Sequence, residues 1–325
     1  MKIVLWARAF LAAFLLLSAH SVAFALDFSS QKQEFLWQPF PGNFPRGVAV
    51  YEGRAQSENG EPIRAWYADI DPKVVKLRAF LSTSATGKEA TSLLAKPSGA
   101  LLAVNGGYFD MQSKPARTFS VLRRNGQTFA QNIDRVTRRV GGGAAFFPIA
   151  RSAVGWNEDG VLQFAWLWHD GATLRQVPAP FANAVNAPAS PPTPEQIAAW
   201  PAWNVAHAIG GGPRLLENGA VRVSYDEEVF FGAGFSSNAP YPRTAIGKRA
   251  DNRVILFVTD GKTPLLSVGL TLPELASEMA KLGCVDAMNL DGGGSSTFVA
   301  EGRALNVPSD GQERAVTSIF AVLPK

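Results

Sequence analysis

Short runs of apolar, β-branched and aromatic residues alternate with turn signals along most of the chain. Residues 47–51, 63–70 and 73–81 read as strands, with Asp71-Pro72 turning between the last two. Asn125-Gly126 separates 118–124 from 127–130, and an Asn-Gly pair suits a tight hairpin because both positions accept positive φ. Asp159-Gly160 and Asn218-Gly219 play the same part within 152–168 and 214–223. Residues 243–248 and 253–259 form a further pair joined through Ala250-Asp251-Asn252, and Arg314 begins the last strand.

Helical patterns are few, at 88–96, 193–200 and 271–282. The last is the clearest. Thr271 and Glu274 have capping-box spacing, Pro273 sits in the first turn and Gly283 ends the helix. Leu272, Leu275, Met279 and Leu282 share one face, as in a helix laid on a sheet. An apolar run from Val285 to Leu290 follows and reads as a buried central strand. The pattern predicts an α+β fold: a strand-rich mixed or antiparallel sheet with a few flanking helices, in a single domain. The six prolines within 177–194 read as an insertion loop, because strands of the same style continue on both sides.

The N-terminus changes the compartment. Lys2 and Arg8 precede an uncharged apolar run, and Ala23-Phe24-Ala25 supplies small residues where a signal peptidase reads. Residues 1–25 are therefore expected to be a signal peptide cleaved after Ala25, giving a periplasmic or secreted chain. The apolar run is short for a bilayer span, and no later stretch reaches eighteen uninterrupted apolar residues, so no stable membrane insertion is expected after cleavage. Removing Lys2 and Arg8 leaves 29 basic against 27 acidic side chains. That balance gives no electrostatic basis for nucleic-acid binding. Cys284 is the only cysteine, which excludes an intramolecular disulfide and a thiolate metal cluster, and its setting reads as a buried inert thiol.

Candidate chemistry lies in four glycine-flanked segments. In Asn289-Leu290-Asp291-Gly292-Gly293-Gly294-Ser295-Ser296-Thr297, a strand delivers Asp291 to its end, and glycines and hydroxyls follow. Exposed amides and hydroxyls beside a carboxylate suit an anionic oxygen. No Lys follows the glycines, so the segment is not a P-loop. Asn105-Gly106-Gly107-Tyr108-Phe109-Asp110 directly follows the apolar strand 100–104. Arg243-Thr244-Ala245-Ile246-Gly247 pairs with a strand ending at Thr259-Asp260-Gly261-Lys262, which brings Arg243 and Asp260 to one open end; a salt bridge between them is the structural alternative. The fourth segment runs from Asn306 to Arg314.

The order of these segments resembles that of the phosphodiester glycosidase family. The resemblance covers residues 100–322, and residues 26–99 would supply the first strands of a catalytic domain completed by 100–325. It implies a hydrolase that cleaves the glycosidic bond of a sugar-1-phosphodiester, releasing sugar and a phosphate monoester. A departing phosphate needs little protonation, so fixed cations and donors matter more than a strong acid. Arg243, Arg314 and the loop Gly292, Gly293, Gly294, Ser295, Ser296 would hold the phosphate. Asp291 and Asp260 would act as base or nucleophile, and Asn105, Gly107, Tyr108 and Asn289 would line the substrate. No cofactor and no metal are expected; the oligomeric state is left open.

Two other readings use the same residues. One is a non-catalytic module binding cell-wall or capsular glycan through tryptophans. The other is a hydrolase with Ser295 or Ser296 as nucleophile, which would require a nearby base. His169, in an aromatic hairpin, reads as a packing or sugar-stacking residue, and His207, two residues before a glycine turn, as packing or cleft-facing.

Overall fold

A computed structural model describes residues 34–325; the signal peptide read at 1–25 lies outside the described residues. The chain forms three main sheets in which every strand pair is antiparallel. The largest has eight strands, in the spatial order Leu36–Pro39, Val48–Gln56, Pro62–Ile70, Val254–Thr259, Arg243–Arg249, Cys284–Asn289, Arg214–Glu217 and Ala220–Val221. A six-stranded sheet runs Thr173–Val177, Gln163–Asp170, Arg151–Trp156, His207–Gly210, Leu122–Arg124 and Gln127–Ala130. A five-stranded sheet runs Arg303–Ala304, Phe298–Ala300, Leu102–Asn105, Ser318–Pro324 and Val75–Leu81. The α+β class read from the pattern is the one observed.

All three sheets feed one core. Val50, Trp66, Leu256 and Met288 from the eight-stranded sheet meet Val154, Trp156 and Ile209 from the six-stranded one. They also meet Leu102, Val104, Phe298 and Phe320 from the five-stranded one. The buried Trp156 indole donates to the Leu77 carbonyl at 2.9 Å, which satisfies the one polar atom of the largest core side chain.

The helix Leu272–Lys281 covers the other face of the eight-stranded sheet. Its Thr271–Glu274 capping box is closed in both directions, as the spacing predicts. Leu272, Leu275, Ala276 and Met279 are buried against Ala245, Phe257 and Leu215, each large side chain contributing about 1.5–3 kcal/mol. Cys284 lies under this helix, and burial pushes its thiol up to about 12, in keeping with an inert core residue. The other helices are short, Thr91–Ala95 and Pro194–Ala199.

The proline-rich stretch leaves the six-stranded sheet after Thr173–Val177 and returns to it at His207–Gly210. Asn183 ties it down by donating to the carbonyls of Pro148 and Glu227. One element was not legible beforehand: Arg135–Val140 and Gly143–Pro148 form a separate two-stranded hairpin. Among the described residues, no helix is long and apolar enough to cross a membrane.

Candidate active site

Three central strands bring their ends together. Ala245 of Arg243–Arg249 opposes Asn289 of Cys284–Asn289, and Asn105 ends the strand that pairs with Ser318–Pro324. Asn105, fully buried, staples the junction. Its amide donates to the Asp291 carbonyl at 2.7 Å, while its carbonyl oxygen accepts from Thr244 Oγ1 at 2.7 Å and from Thr297 N at 3.1 Å. Asn289 does similar work, donating to Tyr108 Oη at 2.9 Å and to the Gly212 carbonyl at 3.1 Å. Both asparagines thus fix backbone and the Tyr108 ring.

The junction opens into a cavity of about 570 Å³. Asp291, Arg314, Tyr108, Ser120 and Arg151 line it. The hairpin Arg135–Pro148 contributes Arg135, Val136, Thr137 and Arg138. Gly107 permits the close approach of its walls, since a Cβ there would lie 2.3 Å from the Gly210 carbonyl oxygen.

Asp291 is the one carboxylate among the lining side chains. Burial pushes it up to about 6, against the opposing effects of a hydrogen bond from Ser295, the charge of Arg314 and the Gly292 amide. That amide donates to its Oδ1 at 2.9 Å. Arg314 is held by Asp310 through Nε at 2.8 Å and through Nη2 at 2.7 Å, and it reaches Ser295 Oγ at 3.4 Å. Gly294 allows this, because a Cβ there would sit 2.2 Å from Arg314 Nη2. The loop amides are largely spent internally. Gly293 donates to Pro242, Ser295 to Gly292 and Ser296 to Gly293. The anion donors of this loop are therefore side chains.

Arg243, expected at the phosphate, and Asp260, expected as base or nucleophile, do not line the cavity. Arg243 opposes Thr259, so it and Asp260 do share one end of a hairpin. Its guanidinium, however, donates to the carbonyls of Leu270, Ser236 and Ala239, and burial lowers it to about 10. It lies over the rings of Phe235 and Tyr241, and Phe235 is a cavity wall. Asp260 is fully buried; its Oδ1 accepts from Val307 N at 2.7 Å, and its nearest cation is Arg64 at 3.9 Å. Burial raises Asp260 to about 6 as well, but this shift accompanies a carboxylate that knits two loops. Long-range contacts decide both positions, and local spacing does not carry them.

Arg151 was missed. It heads the strand Arg151–Trp156, is 6% exposed and lies over the Phe230 ring at 3.9 Å. Among the described residues its guanidinium makes no ion pair or hydrogen bond, and burial lowers its pKa while the charge of Glu228 opposes that shift. Glu228 itself is consumed by Ser152, Trp166, Arg214 and Ser224. Arg151 is thus a desolvated cation facing a cavity, a receptor for an anion. Next to Glu228, Val229 has φ of +55°, which costs a β-branched residue about 1–3 kcal/mol. Arg138 braces this turn by donating to the carbonyls of Phe231 at 2.7 Å and Val229 at 3.4 Å. The turn so braced sets Phe230 against Arg151. A lone arginine opening an apolar strand was the available signal. For the hairpin it was the alternation Arg135-Val136-Thr137-Arg138 before a glycine run.

Among the described residues, neither His169 nor His207 lines the cavity. His207 pairs with Glu158 at 2.9 Å and stacks on Trp156, and His169 Nε2 accepts from Asn132 N at 2.9 Å. Ser296 Oγ is buried without a partner. Among the described residues, no cluster of three His, Cys, Asp or Glu side chains has the arrangement to hold a metal ion.

Residues 189–323 match the family model described as phosphodiester glycosidase. A segment of 85 residues is 41% identical to the SPbeta prophage-derived uncharacterized protein YomE of Bacillus subtilis (strain 168), covering 26% of this chain and 13% of that protein. A segment of 109 residues is 37% identical to the human N-acetylglucosamine-1-phosphodiester alpha-N-acetylglucosaminidase, covering 31% of this chain and 21% of the enzyme. The matches thus span about a fifth or less of these relatives. The catalytic domain of the zebrafish enzyme, solved auto-inhibited by its pro-peptide, superposes with a TM-score of 0.61 at 20% identity, covering 90% of this chain and 89% of that one. A hypothetical protein from Synechocystis gives the same TM-score at 17% identity, covering 90% and 68%. At these identities the structures establish likeness of fold. By its motifs, by the match over residues 189–323 and by its fold, the chain resembles the phosphodiester glycosidases.

Proposed function

We propose that this protein is a secreted or periplasmic hydrolase that cleaves the glycosidic bond of a sugar-1-phosphodiester and releases sugar and a phosphate monoester. The observation that carries the reading is the pairing, in one cavity, of a carboxylate raised to about 6 with two arginines, Arg151 and Arg314. The raised carboxylate is a base poised near neutral pH, and the two guanidiniums receive a phosphate. In the proposed reaction, Asp291 takes a proton from water as the water oxygen bonds to the anomeric carbon. The bond from that carbon to the phosphate oxygen breaks, and its electron pair leaves with the phosphate. Arg151 and Arg314 stabilise the growing charge on the phosphate oxygens. A single carboxylate suffices because this leaving group needs no general acid, and one lining carboxylate favours direct displacement by water over a covalent sugar intermediate.

The rival readings lack comparable support. No tryptophan lines the cavity, which weakens a stacking module for glycans. Ser296 Oγ is buried without a partner, Ser295 is held between Asp291 and Arg314, and the described histidines are engaged elsewhere, so neither serine has the histidine base of a serine nucleophile. The test is a panel of sugar-1-phosphodiesters assayed for released sugar with the whole chain and with Arg151→Lys. We expect sugar release from at least one member, falling about a hundredfold or more in the variant because a point charge replaces a bidentate fork. Release of alcohol with sugar-1-phosphate left intact would overturn the assignment of the bond that breaks.

A further inference from the structure

The cavity is chemically lopsided. Its cations and its one carboxylate occupy part of the lining, while Met111, Phe119, Ile133, Val136, Phe230 and Phe235 make up most of the remainder. A pyranose carries hydroxyls on its edges, and each buried hydroxyl needs a partner. Besides its arginines the lining offers Asp291, Ser120 and Thr137, the Tyr108 hydroxyl being spent between Asn289 and the Gly212 carbonyl, and no Asn, Gln or Glu side chain. That inventory serves one sugar ring, and two rings would leave hydroxyls unpaired. On the hairpin, Val136 alternates with Arg135 and Arg138, and Ile133 precedes them, so apolar contacts lie directly beside the cations. Met111 and Phe119 are 51% and 37% exposed, leaving large apolar surfaces open to water at the lining.

We infer that the group beyond the phosphate is an apolar chain, alkyl, acyl or isoprenoid, so that the ligand is a sugar phosphate joined to a lipid-like alcohol. This rests on the reaction proposed above and names the second half of its substrate. Arg151 receives the phosphate, and the chain runs along Ile133, Val136 and Phe119 toward solvent. A second sugar in that position would face methyl and phenyl groups, with its hydroxyls stripped of water.

The test separates binding from turnover. Calorimetry on the whole chain compares methyl phosphate, hexyl phosphate and a hexose 6-phosphate, each a phosphate monoester that the enzyme would release. We expect hexyl phosphate to bind at least about tenfold more tightly than methyl phosphate, since each methylene buried in the apolar wall adds affinity. Phe119→Ser and Met111→Ser should each lower the hexyl-to-methyl ratio toward one. Equal affinities for the two alkyl phosphates, or tighter binding of the hexose phosphate than of hexyl phosphate, would overturn the inference. The ratio is read without catalysis. A chain that hydrolyses sugar phosphodiesters with a ratio of one refutes the apolar chain alone, and a chain with the ratio but no hydrolysis refutes the reaction alone.

Discussion

Replacing Asp291 by Asn should inactivate the protein and stabilise it at the same time. The folded state raises this carboxyl from 3.8 to about 6, with burial as the first cause. A raised carboxyl pKa means that the folded chain binds the proton more tightly than the unfolded chain does. Well below the unfolded pKa, at about pH 3 or less, both states are protonated and the group costs nothing. As pH rises through about 6, the folded chain is left holding a buried anion and stability is lost. A gap of about two units at about 1.4 kcal/mol each gives a cost of about 3 kcal/mol, fully developed by about pH 8. Asn removes the charge and keeps an oxygen for the Gly292 amide and the Ser295 hydroxyl. The assay is urea unfolding of both proteins at about pH 4, 6 and 8, with the slope checked for constancy. The variant should gain about 2–3 kcal/mol at about pH 8 and only about 0.5 kcal/mol at about pH 4. A variant equal or less stable at the higher pH would refute the view that desolvation governs this site. Turnover above about a tenth of wild type, a barrier change under about 1.4 kcal/mol, would refute an essential role.

Three further outcomes follow from the same geometry. The rate on a phosphodiester should rise with pH through about 6 and then level off, because Asp291 must be deprotonated to act as base; a rate falling across that range would exclude it. Arg243→Lys should lower the melting temperature and reduce rates equally on phosphodiester and neutral-leaving-group substrates, whereas Arg314→Lys should penalise the phosphodiester selectively; a selective effect at Arg243 would return it to the phosphate. Asn105→Ala should cost about 2–4 kcal/mol in unfolding measurements by orphaning partners in three segments, and a loss under about 1 kcal/mol would show that the staple is dispensable.

Much of the fold was legible because its signals are local. Thr271 and Glu274 lie three residues apart, and a capping box is closed by backbone that the same turn supplies. Asn125-Gly126 similarly sets its hairpin by its own φ preferences, +50° and +76°. The Asp291 loop was legible as a candidate site because a carboxylate among glycines and hydroxyls has few structural uses. Arg243 was readable as important yet not as to its role, since its three acceptors at 236, 239 and 270 arrive through folding of separate loops. Asp260 illustrates the same limit: the partner of its Oδ1, the Val307 amide, is 47 positions away. Arg151 escaped notice for the opposite reason. What distinguishes it is the absence of an acid in salt-bridge contact, Glu228 nearby being spent on other partners, and a sequence does not display missing contacts.

The hairpin Arg135–Pro148 has a consequence for how the site can vary. Its strands pair with each other and join none of the larger sheets, and it lies outside the family-matched segment 189–323. Exchanging it would leave every ladder hydrogen bond of the eight-stranded sheet in place, and with them the Asn105 staple and the Asp291 loop. This wall of the cavity is thus held apart from the ladders that carry Asn105 and Asp291. A designer could vary the residues of this hairpin that face the cavity, provided Arg138 is kept, since it donates to the carbonyls of Val229 and Phe231 beside the Arg151 wall.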